Sequence, residues 1–148
     1  MLYRVCNICG KRVPYRTKCE CELKQQKERY KTYKNNRTDT REQKFYSSKE
    51  WERVRENISR HQFGMDLIDW YNREENIHQA ELYHHIIELK DDWSLRFNKK
   101  NIIGLTQQHH MKIHSLMSKN DKYKERIQNY LKRILKEFED IYYKNPGE

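Results

Sequence analysis

The sequence predicts an α+β fold: a strand, loop, strand and helix unit flanked by further helices and preceded by a cysteine knuckle. Three observations carry this. Residues 81–114 read ELYHHIIELKDDWSLRFNKKNIIGLTQQHHMKIH and hold five of the seven histidines: His84, His85, His109, His110 and His114. All four cysteines, Cys6, Cys9, Cys19 and Cys21, fall in the first 21 residues. Beyond residue 122, Tyr123, Ile127, Tyr130, Leu131, Ile134, Leu135, Phe138, Ile141 and Tyr142 recur at helical spacing, one apolar stripe on a long helix.

The first element, residues 1–21, is a zinc knuckle. In CNICGK two thiolates flank a turn closed by Gly10, and KCEC supplies a second pair after a basic link. Four thiolates suit tetrahedral Zn²⁺, although the C-x-C pair is tighter than the usual C-x₂-C. A pair of disulfides is the rival reading, disfavoured for an intracellular chain. With no histidine nearby the site reads as structural, and metal binding would supply most of the folding free energy of so short a segment.

Residues 22–44 form a basic arm with almost no apolar residues beyond Leu23, Tyr30 and Tyr33. Its first half favours helix, and NNRTDT breaks the pattern, so the reading is a solvated helix followed by a tether. Lys24, Lys27, Arg29, Lys31, Lys34, Arg37 and Arg41 are its candidate phosphate contacts. Such a run is ordinarily a solvated face; its net positive sign and its position favour nucleic acid here.

Residues 45–121 are the expected core. A helix is predicted from Ser47, with Glu50 completing a capping box and Trp51, Val54 and Ile58 forming its buried stripe. Trp51 is read as core rather than a platform for bases. The chain turns at Gly64. An adjacent His pair then sits in an apolar run of strand character, residues 82–89. A loop carries Trp93 and Phe97 as packing, and Ile102, Ile103 and Leu105 follow Asn101 as a short strand. His110 and His114 lie one helical turn apart, so both imidazoles face the same way. Histidines on the strand and on one helix face make a compact cage for a divalent metal. His61 and His78 read as ordinary surface or half-buried residues. Residues 122–143 are the amphipathic helix, ending before Asn145-Pro146-Gly147 and covering this unit, with a dimer contact as the rival use of its stripe.

Composition limits the function classes. Hydrophobic residues make up 35% and charged ones 36%, so the core is thin, and mean hydropathy is −1.28 with no run long enough for a membrane span. The chain also opens without an apolar signal segment, so a soluble cytoplasmic protein is expected. Of the net charge of +9, residues 1–44 carry +8, with thirteen Lys or Arg against five Asp or Glu. An excess confined to one third of the chain is an electrostatic footprint for nucleic acid.

The order His85, Asn101, His110, in HHII, NIIGL and HHMKIH, resembles the HNH endonucleases and their ββα-metal motif. Close likeness covers about a quarter of the chain, and FYSSKEWERVR (residues 45–55) looks like the helix that precedes the motif in stand-alone phage members. The resemblance implies a metal-dependent endonuclease acting on double-stranded DNA. In that reading His85 is the general base, His84, His110 and His114 hold one divalent ion (Mg²⁺, Mn²⁺, Ni²⁺ or Zn²⁺), and Asn101 braces the loop that orients the base. Adjacent strand residues point to opposite faces, which agrees with separate tasks for His84 and His85. For a phage-encoded chain the place of action would be the host cytoplasm, with a phage terminase as candidate partner and DNA packaging, homing, restriction and repair all open as roles. A monomer or weak dimer is expected.

The chain also departs from the family. Many relatives carry a second zinc site beside the active centre, with cysteines near residues 64–71 and again near Thr106 and His109. This chain has none, and packing by Leu67, Ile68, Trp70 and Tyr71 is expected instead. Glu88 stands where many relatives have Pro. His109, in place of a zinc cysteine, is not assigned to catalysis. The alternative from another class is a non-catalytic, zinc-dependent DNA-binding module on the same scaffold.

Overall fold

The described residues of the computed structural model, 1–36 and 40–144, hold two small antiparallel sheets, six α-helices and two short 3₁₀ helices. Arg37 and the expected helix stop at Asn145-Pro146-Gly147 lie outside them. The fold is α+β, and the chain divides into two compact units, Met1–Thr40 and Arg41–Glu148.

In the first unit, β1 (Tyr3–Val5) pairs with β2 (Arg12–Pro14), and α1 (Glu20–Asn36) follows. Gly10 closes the turn between the strands at φ +73°, a left-handed conformation that a side chain would strain. Arg4 on β1 reaches Glu22 at the start of α1 in an ion pair, and Glu22 also accepts from the Cys19 N–H at 2.8 Å. These contacts clamp the hairpin to the first turn of the helix. Beyond that turn α1 buries nothing, in keeping with its lack of apolar residues.

The second unit is built on β3 (Leu82–His85), β4 (Ile102–Leu105) and α5 (Gln107–Met117). Strand alternation sorts its core into two halves. Ile103 and Leu105 on one face of β4 join Ile113 and Met117 of α5 and Leu131, Ile134, Leu135 and Phe138 of α6 (Asp121–Tyr142). Ile102 on the opposite face joins Phe45 of α2 (Thr40–Tyr46) and Trp51 and Ile58 of α3 (Lys49–His61). Leu67 and Ile68 of α4 (Leu67–Tyr71) complete the first half. The C-terminal stripe is thus spent largely on the core of its own unit, though Ile141 and Tyr142 stay exposed. Among the described residues no helix is long and apolar enough to cross a membrane.

Buried polar side chains finish the β4 edge and the helix ends. Gln62 is 1% exposed; its amide donates to the Ile102 carbonyl and accepts from the Gly104 N–H, both at 2.8 Å, standing in for a third strand. A side chain at Gly104 would meet the Ala80 Cβ at 3.0 Å and the Met65 carbonyl at 3.2 Å, so only glycine lets these segments approach.

Residues 40–44, expected as part of a tether, form most of α2, and three more expectations need adjustment. The cap of α3 is Ser48, whose Oγ accepts from the Trp51 N–H; Ser47 lies a residue too early and bonds back to Gln43. The histidine strand stops at His85, because the next amides turn to Asn101: Ile86 N–H to its carbonyl and Ile87 N–H to its side chain. Next to Thr106 and His109, hydrogen bonding to Asp66 supplements the packing of Leu67, Ile68, Trp70 and Tyr71.

Candidate active site

The β3–β4 ladder fixes which way each histidine looks. His84 pairs with Ile103 and His85 with Ile102, and residues paired across a ladder share a face. His84 therefore turns to the α5 side and His85 to the α2–α3 side.

On the α5 side, Thr106 caps the helix through the His109 N–H and sets the rotation that presents His110 and His114 to β3. The ligand-type nitrogens of His84, His110 and His114 lie within 4.8 Å of one another. Nε2 of His110 and Nε2 of His114 are 2.9 Å apart. The buried Nε2 of His84 has no hydrogen-bond partner among the described residues. Burial, reinforced by His114 and His110, pushes the His84 pKa down to about 3, so the ring is neutral at any physiological pH. His110 is shifted down by the same two kinds of cause, burial first and His114 second. Neutral imidazoles are what metal binding requires, and an unpartnered buried nitrogen costs free energy until something accepts its lone pair. The donor set fits a divalent ion. Glu88 lies 3.9 Å from His114 Nδ1 and also pairs with Lys90 and Lys124.

On the other side, His85 is 3% exposed and packed against Trp51, ring centroids 5.0 Å apart, and Phe45, 5.8 Å. Its Nε2 lies 2.9 Å from the Arg96 carbonyl. A carbonyl only accepts, so Nε2 carries the proton and Nδ1 keeps the lone pair. Nδ1 in turn lies 3.0 Å from the Tyr46 hydroxyl. Burial lowers the His85 pKa, partly offset by the Arg96 bond. The Asn101 side chain accepts from Ile87 N–H at 2.7 Å and donates to Ile87 C=O at 3.0 Å, pinning the backbone two residues after His85. His84, His85, His110 and His114 all open on one cleft, with Tyr46 and Glu88 also in its wall.

The remaining histidines each face a carboxylate instead: His61 pairs with Glu139, His78 with Asp69, and His109 with Asp66. Asp66 has no exposure, caps α4 through Ile68 N–H and Asp69 N–H, and also accepts from Thr106 N–H and His109 Nδ1. His109 therefore ties the starts of two helices together, away from the cleft.

In the first unit, the four cysteine sulfurs lie within 4.8 Å of one another, Cys6 to Cys21 at 3.3 Å and Cys9 to Cys19 at 3.6 Å. Zn–S bonds of about 2.3 Å put tetrahedral sulfurs roughly 3.8 Å apart, so the cluster is close to the required size. N–H groups of Cys9 and Ile8 aimed at the Cys6 sulfur lower its pKa to about 7, toward the thiolate a metal needs. Along α1, Lys24, Lys27, Lys31 and Lys34 recur at i, i+3, i+7 and i+10, one exposed basic stripe, and Arg29 sits off it. Arg41 belongs to the second unit, its guanidinium 4.0 Å over the Trp93 ring.

Sequence reasoning missed Tyr46, the Arg96 carbonyl, Gln62 and Asp66. Tyr46 had one signal, its place in the FYSSKEW flank; the others are tertiary partners without local pattern.

No protein-family profile matches the chain, and no curated protein matches it. Among solved structures it is similar to the HNH endonuclease of the deep-sea thermophilic bacteriophage GVE2, solved with manganese. The likeness covers 60% of this chain and 90% of that one, at 27% identity and a TM-score of 0.48.

Proposed function

We propose that the chain is a metal-dependent endonuclease that hydrolyses phosphodiester bonds in double-stranded DNA. The observation that carries this is the division of two adjacent histidines between two jobs on one cleft. His84 joins His110 and His114 in a set of three imidazoles, and His85 stands across the strand as a neutral base of fixed tautomer.

Hydrolysis needs an activated water, in-line geometry and relief of charge on the leaving 3′ oxygen. His85, with Nδ1 unprotonated, supplies the base, an effect of about 10²- to 10⁴-fold in rate. Asn101 holds the turn after β3 and thereby keeps His85 in direction. A divalent ion held by His84, His110 and His114 would act as a Lewis acid on the phosphate and balance charge on the leaving oxygen. In the first unit, a zinc ion on Cys6, Cys9, Cys19 and Cys21 would hold the hairpin to α1, whose lysine stripe would contact DNA phosphates.

Incubating purified protein with supercoiled plasmid and Mg²⁺, Mn²⁺ or Ni²⁺ tests the reading, with His85→Ala as control. Nicked or linear product that depends on metal and on His85 is expected. DNA binding without cleavage under all three metals would favour the non-catalytic module instead. A terminase partner, suggested by the likeness to stand-alone phage members, is tested by co-purification.

A further inference from the structure

We propose that the Tyr46 hydroxyl is a catalytic group that takes a proton from the attacking water and passes its own to His85. The proposal rests on the endonuclease reading and assigns a role to a residue outside the histidine motif.

The argument is geometric. Nε2 of His85 is committed to the Arg96 carbonyl, which leaves Nδ1 as the ring's one basic position, and Tyr46 Oη stands 3.0 Å from it. Phe45 and Trp51 pack against the same ring, with centroids 5.8 and 5.0 Å away. Nδ1 is thus occupied by a phenol oxygen whose residue also lines the cleft. Tyr46 lines that cleft beside His84, His110 and His114 and is 45% exposed, so the residue borders both the buried base and the open side. Burial first, then Glu42 and Glu88, raise the phenol's pKa to about 12, so it stays a donor at neutral pH. A phenol that donates to Nδ1 still has lone pairs to accept from water.

As the water oxygen bonds to phosphorus, one water proton moves to Tyr46 Oη and the phenol proton moves to His85 Nδ1. The bond from phosphorus to the 3′ oxygen breaks. Tyr46 ends neutral, His85 ends as imidazolium, and the leaving oxygen takes a proton from solvent.

Tyr46→Phe keeps the ring that packs on Phe45 and Trp51, centroids 5.3 and 5.5 Å away, and deletes only the hydroxyl. At saturating DNA and Mn²⁺, kcat should fall about 10²-fold, with KM, the metal-binding isotherm and the melting curve as in wild type. In metal-free protein the ¹⁵N resonance of His85 Nδ1 should move downfield on losing its donor. A variant that cuts as fast as wild type, or faster, makes Tyr46 a plug that water displaces and overturns the proposal. Should the variant not fold, single-turnover rates of wild type in H₂O–D₂O mixtures decide the matter. A curved proton inventory, from two protons in flight, supports the relay, and a linear one defeats it. Wild-type protein that cuts nothing sinks the endonuclease reading and the relay together; wild type that cuts beside an equally active Tyr46→Phe sinks the relay alone.

Discussion

His84 and His85 are consecutive residues on one strand, yet His84 lies 5.3 Å from His110, ring centroid to centroid, and His85 lies 5.0 Å from Trp51 on the other face. A two-residue repeat places the two imidazoles on opposite faces, as the proposed ligand and base require. A one-residue slip of β3 against β4 would exchange their surroundings, so the proposed division of tasks depends on the register that Asn101 and Gln62 hold.

The two variants that separate these tasks are His85→Ala and His110→Ala. The first should lose cleavage by at least about 10²-fold while metal affinity and DNA binding stay near wild type. The second should lose metal affinity and cleavage together. Calorimetric titration of Mn²⁺ beside plasmid cleavage checks both. A His85→Ala protein that still cuts at a large fraction of the wild-type rate would refute the general-base assignment.

Gln62→Ala should be among the more costly single changes in the second unit. It leaves the Ile102 carbonyl and the Gly104 N–H buried without their partner. At about 1–3 kcal/mol for each unpaired group, the loss is roughly 2–6 kcal/mol, read as a lower urea midpoint. A change below about 0.5 kcal/mol would show that water replaces both bonds.

Legibility in the sequence followed the range of the interactions. The α6 stripe and the pairing of His110 with His114 are written at helical spacing, and the knuckle in the cysteine spacing, so all three could be read from neighbours. Ser47 and Ser48 are equally plausible caps by composition, and only the backbone turn selects Ser48. Gln62 and Asp66 find partners 40 or more residues away, and a lone polar residue beside a helix end carries no periodic mark. The same is true of the Arg96 carbonyl, since a backbone acceptor has no sequence signature.

Acid should weaken the metal-free second unit before it unfolds it. The folded pKa of His84 is depressed from 6.5 to about 3, so between those values the unfolded chain binds a proton that the folded chain refuses. Stability therefore falls as pH drops below about 6.5, by up to about 1.4 kcal/mol per pH unit for this one imidazole. His85 and His110 are depressed too and act in the same direction. Asp66 also has a lowered folded pKa: burial, the largest influence, raises it, but the Thr106 N–H and His109 prevail. Its stabilisation is present above the unfolded carboxylate value and is lost as pH falls through the folded one. Melting temperatures from pH 8 to 4, with and without Mn²⁺, check this. The metal should raise the melting temperature more at high pH than at low, and a flat profile would contradict the buried, neutral His84.

The first unit should hold its metal independently. Four sulfurs within 4.8 Å predict one tightly bound Zn²⁺ that survives mild chelation, whereas the ion at the histidines exchanges. Elemental analysis before and after chelation, on full-length protein, separates the two. Freshly purified protein without zinc, or with Cys6 and Cys9 joined in a disulfide, would end the knuckle reading.

The basic stripe on α1 gives the last prediction. Lys24, Lys27, Lys31 and Lys34 lie along one side of a helix that buries nothing, so replacing them changes charge without touching a core. Binding that neutralises Z phosphates releases counterions, and log K falls with log salt at a slope of about −0.9Z on B-form DNA. If all four lysines meet phosphates, changing them to Gln should flatten the slope by about 3 to 4 and weaken binding most at low salt. The helical signal, zinc content and Mn²⁺ affinity should stay as in wild type, since none of the four contributes a metal ligand. If the charge is only a solvated face, the slope stays where it was and the affinity hardly moves. Fluorescence titrations of one duplex at three salt concentrations, on both proteins, distinguish these outcomes. Parallel lines would remove the lysine stripe of α1 from the DNA interface.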